Sequence, residues 1–478
     1  MDKTASIFGN PIDERIVRKA EKSKEKYLKR FGDDTKTVYH LGLTPISQIE
    51  EIRMQNLVPA DTPLVLPDNP LVVGNIRMGF GHYRISMAIA SCAQALGFAP
   101  VWFDLASFDA TGSKMIRSQN ELYSIGSRLS QKVGLFNKLV WDPMNREGFR
   151  KLTYNASDQK NAELLVPLFR DIPKDVPYVA THAWPAQGAV HAGLTHVVNA
   201  IPDNWPMALH LSEGAIHTVQ TNFAYLGYKN LNGMAKHTLR PMPDGALLNV
   251  GHYVDHELVS NIGTDCGARI RRAQKKEPVR FLLTVGGAGA GADLYAALVR
   301  RLLMHADRKR AKIWINFGDH PDVWETLLKE IPELAGRTKA FINDYPGFRE
   351  FAYHTDEEEA DVVAVCSDDI FEAVYSTNLL MRYCDILVTK PSELSFYPVP
   401  KLMMRHIGGH EVYGAIHAQE AGDSTCECGS KASLCGMADS LIRDRSLLQT
   451  MCERIKENNE MHLYDGGYRV VKAAAGIE

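Results

Sequence analysis

The fold is decided by residues 71–105, LVVGNIRMGFGHYRISMAIASCAQALGFAPVWFDL. A short apolar run that follows Pro70 and ends at a glycine-rich turn predicts a buried strand. The turn leads into a helical stretch that ends at Gly97, and a second apolar run predicts another strand. A strand–helix–strand unit of this kind implies parallel strands joined by a crossover helix. We therefore expect a doubly wound α/β domain around this stretch.

The same pattern starts again about 200 residues later. The charged stretch RIRRAQKKEPVR, residues 269–280, interrupts the apolar pattern, and FLLTVGGAGAGADLYAALVRRLLMHA, residues 281–306, then predicts a strand, a glycine-rich turn and a helix. Two such turns in one chain predict two α/β domains with a junction near residues 255–278.

The N-terminal region has a different composition. Residues 12–31 are highly charged with helical spacing, and PISQIEEIRMQNL, residues 45–57, predicts a second short helix. The predicted division of the chain is an N-terminal helical extension (1–67), an N-terminal Rossmann-like domain (68–255), a C-terminal Rossmann-like domain (256–440) and terminal helices (441–478).

Composition excludes several classes of protein. The chain has 478 residues, 45% of them hydrophobic, and 54 Lys and Arg against 57 Asp and Glu give a net charge of −3. That balance is typical of a globular protein and gives no basis for nucleic-acid binding. No apolar run approaches the roughly 18 residues of a membrane helix, and the N-terminal stretch has no signal-type apolar segment. We expect a cytosolic protein with at most a peripheral membrane contact; the sequence does not indicate its oligomeric state.

The first glycine-rich turn carries residues suited to ligand chemistry. Gly79 and Gly81 let backbone N–H groups approach a ligand at a helix N-terminus, and His82 is suited to general-base work. A dinucleotide fingerprint has a third glycine where Arg84 stands, although Asp104 ends the next strand, where a ribose-binding acid is found. A nicotinamide dinucleotide therefore stays an alternative.

Two further stretches can hold a nucleotide. Gly286, Gly287 and Gly289 form a phosphate-type backbone cradle without the Lys and Ser/Thr of a P-loop. Glu393 follows the apolar run DILVT, and a carboxylate at a strand end suits ribose or sugar hydroxyls. Gly409, His410 and Glu411 form a third loop of the same character.

Taken in order, GFGHYRISMAIA, LLTVGGAGAG and LMRYCDILVTKP…E…PKLMMRHIGGHEVYGA resemble the GT-B glycosyltransferases. The similarity is to the group that contains MurG, the monogalactosyldiacylglycerol synthases and the processive diacylglycerol glucosyltransferases, and it runs from about Leu71 to Gly422. The resemblance implies two Rossmann-like domains facing across a cleft. It also implies a metal-independent transfer of a sugar from a nucleotide diphosphate donor, in most relatives UDP-linked, to an acceptor hydroxyl, with no cofactor.

The resemblance also implies roles for individual residues. On the acceptor side it places Gly79, Gly81, Arg84 and His182, with His82 or Asp203 as the base. On the donor side it places Gly286, Gly287 and Gly289 near the phosphates, Phe317 and Gly318 beside the nucleobase, Glu393 on the ribose, and Gly409, His410 and Glu411 near the sugar and phosphates.

One departure leaves alternatives open. Only Ser392 lies between Lys390-Pro391 and Glu393, where the family has several residues rich in Gly and Thr, so backbone donors near the diphosphate are missing unless Ser392 replaces them in part. A nucleotide-sugar 2-epimerase of the same fold and a non-catalytic nucleotide-sugar-binding protein therefore remain alternatives.

The eight cysteines predict no disulfide framework. Cys426, Cys428 and Cys435 have a spacing that three thiolate ligands of one metal ion can have, but no second Cys pair accompanies them. Ordinary reduced thiols are the alternative, and the main prediction includes no metal.

Overall fold

The computed structural model describes residues 3–77, 79–132, 143–285, 292–356 and 358–477. The chain divides into two compact units. The first contains the chain up to Asp255, together with Gly408–His410 and the chain after Tyr464. The second contains His256–Ile407 and Glu411–Tyr464. Each unit is described by itself below.

The first unit is built on a predominantly parallel sheet. Its strands are β1 (Ser6–Ile7), β2 (Asn10–Pro11), β3 (Leu41–Pro45), β4 (Gln55–Pro59), β5 (Pro70–Asn75), β6 (Ala99–Asp104), β7 (Tyr178–Ala180), β8 (Val197–Ala200), β9 (Ile216–Val219) and β10 (Leu247–Asn249). Strands β3 to β10 form one sheet in the order β10-β9-β8-β7-β5-β6-β4-β3, and every neighbouring pair is parallel except β3 with β4. Strands β1 and β2 form a separate hairpin.

Helices cover this sheet, as the crossover connections of parallel strands require. They are α1 (Glu14–Phe31), α2 (Phe80–Ala95), α3 (Thr111–Lys132), α4 (Leu152–Ala162), α5 (Ala183–His191) and α6 (Asn222–Lys229). On one face of the sheet, Val72, Phe103 and Tyr178 pack with Leu165 and Phe169 in a continuous buried core. Single turns of 3-10 helix occupy Leu105–Ser107 and Ala208–His210, and a longer one occupies Glu163–Phe169.

The structure of the N-terminal region differs from the predicted helical extension. Helix α1 is present, but the stretch predicted as a second helix ends in strand β4, which pairs with β3 from Leu41↔Pro59 to Pro45↔Gln55. Both strands belong to the sheet of the first unit. Leu41 and Leu57 are buried in that pairing, so burial against distant residues overrides the local helical pattern.

The second unit has an entirely parallel sheet. Its strands are β11 (Val279–Thr284), β12 (Ala311–Asn316), β13 (Thr338–Ile342), β14 (Val362–Cys366), β15 (Ile386–Thr389) and β16 (Lys401–Met403), in the order β13-β14-β12-β11-β15-β16. Its helices are α7 (His256–Ser260), α8 (Ile262–Lys275), α9 (Ala292–Ala306), α10 (Pro321–Glu330), α11 (Tyr345–Tyr353), α12 (Ile370–Met381), α13 (Val412–Ala421), α14 (Lys431–Arg443) and α15 (Arg445–Glu460). The two parallel sheets with their crossover helices confirm the predicted α/β class with two Rossmann-like units.

The last helix, α16 (Gly466–Ala475), belongs to the first unit. It begins with two glycines that permit very close packing. A Cβ on Gly466 would lie 2.3 Å from the Gly251 carbonyl oxygen, and a Cβ on Gly467 would lie 2.7 Å from the Cys92 sulfur on α2. The first unit is therefore completed by a segment that follows the whole second unit in sequence.

Within the described residues, no helix combines the length and the apolar character that crossing a bilayer requires.

Candidate functional site

The polar residues of the first unit gather where its central parallel strands end. The glycine-rich turn follows β5, Thr181 and His182 follow β7, and Asp203 lies three residues beyond the end of β8. Ligands of open α/β sheets bind at this carboxyl edge of the strands. We therefore take this edge as the candidate site of the first unit.

His82 lies in the first turn of α2, directly after Gly79 and Gly81. Gly79 has a φ of 89°, a left-handed conformation that favours glycine, and it caps the helix without a side-chain hydrogen bond. The Nδ1 of His82 is 2.6 Å from the carbonyl oxygen of Thr181. A carbonyl only accepts, so Nδ1 carries the proton and the neutral ring has its basic lone pair on Nε2.

His182 is in ring contact with His82, at 5.1 Å between centroids and nearly edge-on. Its Nδ1 accepts the backbone N–H of Trp184 at 3.1 Å and so caps α5. Burial, with a smaller contribution from His82, holds the pKa of His182 well below its usual range. His182 is thus a neutral, fixed neighbour of the predicted base.

Asp203 is paired with a histidine that the sequence did not indicate. Its Oδ2 lies 2.9 Å from Nε2 of His210, which is held in place by a bond from Asn199 Nδ2 to the His210 carbonyl. Burial works to raise the pKa of Asp203, but the hydrogen bond and charge of His210 outweigh it and leave that pKa well below the usual range. Asp203 is therefore anionic near neutral pH, and an acid this strong has a weakly basic conjugate carboxylate.

Arg84 and Asn75 lie inside the first unit. Arg84 is 3% exposed, so the predicted acceptor-side guanidinium is buried within the unit rather than on an open surface. Asn75 ends β5 and is fully buried, and neither atom of its side-chain amide has a hydrogen-bond partner among the described residues. The strand end beside the glycine-rich turn therefore holds unused hydrogen-bonding capacity.

Asp104, the candidate ribose-binding acid of a dinucleotide site, has a structural role. Its Oδ2 accepts the Tyr83 hydroxyl at 2.7 Å and its Oδ1 accepts the Ala106 backbone N–H at 2.9 Å. Burial raises the pKa of this carboxyl despite both bonds. Because both oxygens are engaged, Asp104 does not present the free acceptors that a ribose needs.

In the second unit, the donor-side predictions have different outcomes. Gly286, Gly287 and Gly289 lie outside the described residues. Phe317 is 1% exposed and packs against Trp324 with 5.2 Å between ring centroids, so it is a core residue and is not presented to a nucleobase. Gly318 forms the turn after β12 with a φ of 62°.

The turn at Gly318 is organised by Asn316. Its Oδ1 accepts the Gly318 N–H at 2.8 Å, and its Nδ2 donates to the Ala373 carbonyl and the Thr377 hydroxyl, each at 2.8 Å. Asn316 is 3% exposed. A buried amide with all these bonds fixes the backbone of the turn, and no sequence motif indicated this role of Asn316.

The shortened connection before Glu393 leads directly into a single helical turn. Strand β15 ends at Thr389, and a 3-10 helix begins at Glu393 and ends at Phe396. The Ser392 carbonyl accepts both the backbone N–H and the hydroxyl of Ser395, at 2.9 and 2.6 Å. Ser392 and Glu393 are half-buried at this turn. Pro391 has no N–H and the Ser392 N–H donates to the Lys390 carbonyl at 2.8 Å, so this connection offers a diphosphate few backbone donors.

The loop with Gly409, His410 and Glu411 is closed by an ion pair. Glu411 Oε1 accepts from Lys390 Nζ at 2.6 Å, and Oε2 accepts the Ile407 N–H at 2.8 Å. Both carboxylate oxygens of Glu411 therefore accept from protein groups and shape the loop, while its contact with the donor stays a prediction.

Nothing in the described part of the chain brings three or more His, Cys, Asp or Glu side chains together in a way that could hold a metal ion. Cys428 Sγ is 3.7 Å from the Cys426 carbonyl, whereas Cys435 Sγ is 3.6 Å from the Ala297 carbonyl on α9. The three thiols that the sequence offered as ligands are not assembled around one point.

Comparison with known proteins gives two family matches. Residues 6–230 match the model described as domain of unknown function DUF6937, and residues 242–475 match the one described as domain of unknown function DUF6938. No curated protein matches.

Several solved structures are similar at low identity. The UDP-GlcNAc 2-epimerase from Neisseria meningitidis bound to UDP-GlcNAc is 11% identical, with a TM-score of 0.40, over 84% of this chain and 98% of that one. The α,α-trehalose-phosphate synthase (UDP-forming) from Burkholderia vietnamiensis is 12% identical, with a TM-score of 0.43, over 85% and 99%. A glycosyltransferase from Rickettsia africae ESF-5 is 10% identical, with a TM-score of 0.41, over 85% and 99%. At this level of identity the likeness does not say which reaction this chain performs.

Proposed function

We propose that the chain is a glycosyltransferase that moves a sugar from a nucleotide diphosphate donor, UDP-linked, to an acceptor hydroxyl. The observation that carries the proposal is the bond from His82 Nδ1–H to the Thr181 carbonyl. It fixes the tautomer of His82 and leaves Nε2 as the proton acceptor, at the strand edge where the family motif GFGHYR places its base.

In the proposed reaction, Nε2 of His82 takes the proton of the acceptor hydroxyl as the oxygen attacks the anomeric carbon. The bond from that carbon to the diphosphate oxygen breaks, and the nucleoside diphosphate leaves with the electron pair. Asp203, held anionic by His210, lowers the energy of the imidazolium because opposite charges attract across the site. Its weak basicity favours His82 over Asp203 as the base.

The test is the release of nucleoside diphosphate by His82→Gln. We expect kcat to fall about 10²- to 10⁴-fold, the usual contribution of a positioned general base. The exposed His237 provides the matched control, since His237→Gln makes the same chemical change away from the site. Activity of His82→Gln within threefold of the wild type, with acceptor and donor saturating, would refute the role of His82.

A second candidate is a non-catalytic protein that binds a nucleotide sugar. The short connection before Glu393 favours it, because Pro391 has no N–H and the Ser392 N–H already donates to the Lys390 carbonyl, so this connection offers a diphosphate few backbone donors.

Titration calorimetry with UDP separates the candidates. Under both, Glu393→Ala should weaken UDP binding at least tenfold, while Glu325→Ala, an exposed acid on α10, should not. UDP binding without release of UDP from a UDP-sugar, whichever acceptor or water is present, supports the second candidate, and release that depends on His82 supports the first. Absence of UDP binding would contradict both.

A further inference from the structure

Two buried side-chain amides hold residues 208–211, which we call the histidine turn. Asn155 lies on α4, and its Nδ2 donates to the carbonyls of Ala208 and Leu211, each at 2.8 Å. Gln187 lies on α5, and its Nε2 donates to the same Leu211 carbonyl at 2.8 Å. Both side chains are fully buried. Because a carbonyl oxygen only accepts, each amide faces the turn with its nitrogen.

The bonds from Asn155 duplicate bonds that the histidine turn already has. The Leu211 N–H donates to the Ala208 carbonyl at 3.0 Å, and Gln187 donates to the Leu211 carbonyl. At the other end of the amide, Asn155 Oδ1 is buried and has no hydrogen-bond partner among the described residues. A buried acceptor without a donor costs stability that an apolar side chain of similar size would not. Such unfavourable choices in a core are expected at functional sites.

The histidine turn presents a buried imidazole to a partly exposed carboxylate. His210 is 4% exposed, and its Nε2 lies 2.9 Å from Asp203 Oδ2. The anionic carboxylate only accepts, so Nε2 carries the proton of this bond. The Asp203 side chain is 36% exposed, and within the described part of the chain Oδ1 has no hydrogen-bond partner. His210 thus holds one oxygen of Asp203 on its buried side and leaves the other for a ligand.

We propose that Asn155 is a positioning residue of the candidate site. By restraining the histidine turn it keeps His210 Nε2 aligned with Asp203 Oδ2, because a hydrogen bond weakens steeply with misalignment. The carboxylate then keeps the orientation in which it stabilises the imidazolium of His82. This last step rests on the proposed function, whereas the restraint on His210 does not.

Hydrogen exchange at the His210 ring tests the restraint. The full chain is prepared with isotope-labelled histidine, and the Nε2–H signal is assigned by NMR through its loss in His210→Gln. We expect this N–H to exchange about tenfold faster in Asn155→Leu, because the turn then opens more often. In the matched control Asn261→Leu, which removes an amide bond of 2.7 Å to the Glu257 carbonyl in the second unit, the exchange should not change. A signal that is absent from wild type, or equally protected in Asn155→Leu, would overturn the proposal.

Thermal unfolding separates positioning from a merely structural role. Asn155→Leu removes a buried unpaired oxygen and leaves both carbonyls a donor, so we expect its unfolding temperature to equal or exceed that of wild type. A clear fall in that temperature, or a variant that does not fold, would show that the amide maintains the fold and would contradict the proposal.

Kinetics tests the link to the reaction. In Asn155→Leu, kcat for UDP release should fall about tenfold while KM for the UDP-sugar stays within about twofold, since the proposed donor groups lie in the second unit. Faster exchange at His210 with an unchanged kcat would refute the link between the histidine turn and the reaction. If wild type releases no UDP, the proposed function fails, and the exchange measurement still decides whether Asn155 positions His210.

Discussion

At the carboxyl edge of the first sheet, three imidazoles and one partly exposed carboxylate lie near one another, whereas in the second unit the charged groups beside β15 and β16 are bound to each other. The His82 ring is oriented by its bond to the Thr181 carbonyl, and His210 keeps Asp203 charged. By contrast, Glu411 holds Lys390, and Lys401 forms an ion pair of 2.7 Å with Asp423 that is fully buried.

The difference separates two uses of polar side chains. A histidine and a carboxylate at the end of a sheet can exchange protons with a ligand, whereas groups bound to one another define the shape of a loop or strand. The proposed function therefore predicts proton transfer in the first unit and contact with a nucleotide in the second unit, through the backbone and Glu393.

The largest effect on stability is expected from removing one partner of the buried Lys401–Asp423 ion pair in the second unit. Asp423→Ala leaves the Lys401 ammonium buried without its counter-charge, and removing one partner of a buried ion pair costs about 3–5 kcal/mol of unfolding free energy. Urea unfolding measures the change. The control is the double variant Lys401→Met with Asp423→Leu, which should recover most of the lost stability. If the unfolding free energy of Asp423→Ala lies within about 1 kcal/mol of wild type, Lys401 and Asp423 do not form a buried ion pair.

Acid should destabilise the first unit through its neutral imidazoles. His217 donates Nδ1–H to the Ala246 carbonyl at 3.1 Å and accepts the Ser212 N–H on Nε2 at 2.9 Å, and burial lowers its pKa to about 4. An unfolded His titrates near 6.5, so below that pH the unfolded chain binds a proton that the folded one does not. Stability is present above pH 6.5 and is lost as the pH falls toward 4, by about 2 kcal/mol per such group at pH 5.

The comparison of His217→Asn with the control His237→Asn measures this contribution. Thermal unfolding should show that His217→Asn loses less stability than wild type when the pH falls from 7 to 5, because the variant has no buried imidazole at this position whose protonation favours the unfolded chain. The control should follow wild type. Equal losses in all three proteins would mean that His217 is not held neutral.

The smallest effect is expected at the loop of Glu411. Glu411→Gln removes the charge that holds Lys390, a partly exposed pair worth about 1 kcal/mol or less. We expect UDP affinity to change less than threefold, in contrast to the loss expected for Glu393→Ala. If calorimetry shows that Glu411→Gln weakens UDP binding as much as Glu393→Ala, Glu411 contacts the donor after all.

Much of the fold was predictable from local pattern. The quoted stretch gave a strand, a turn and a helix where the structure has β5, Gly79 and α2, because apolar run length and glycine position are local signals. Strands β3 and β4 were missed because their stability depends on pairing and burial rather than on a local alternation. The assignment of α16 to the first unit is likewise a long-range contact that no window of sequence contains.

The candidate site was predictable only in part. His82 follows a glycine turn and could be found by motif, whereas His210 lies in a single 3-10 turn without any motif around it. Its pairing with Asp203 depends on how the chain after β8 bends back, which is a tertiary property. The burial of Phe317 and the engagement of Asp104 and Glu411 were missed for the same reason, since a sequence shows which groups can bind a ligand but not which are already bound to the protein.

Helix α16 has a consequence for synthesis on the ribosome. Its glycines pack against residues of the first unit, yet it is translated after the whole second unit. Domains generally fold as they emerge, N-terminal first, at about 5–20 residues per second. The surface of α2 around Cys92 therefore stays uncovered until residues 466–475 have left the exit tunnel, which happens only after the whole second unit has been synthesised.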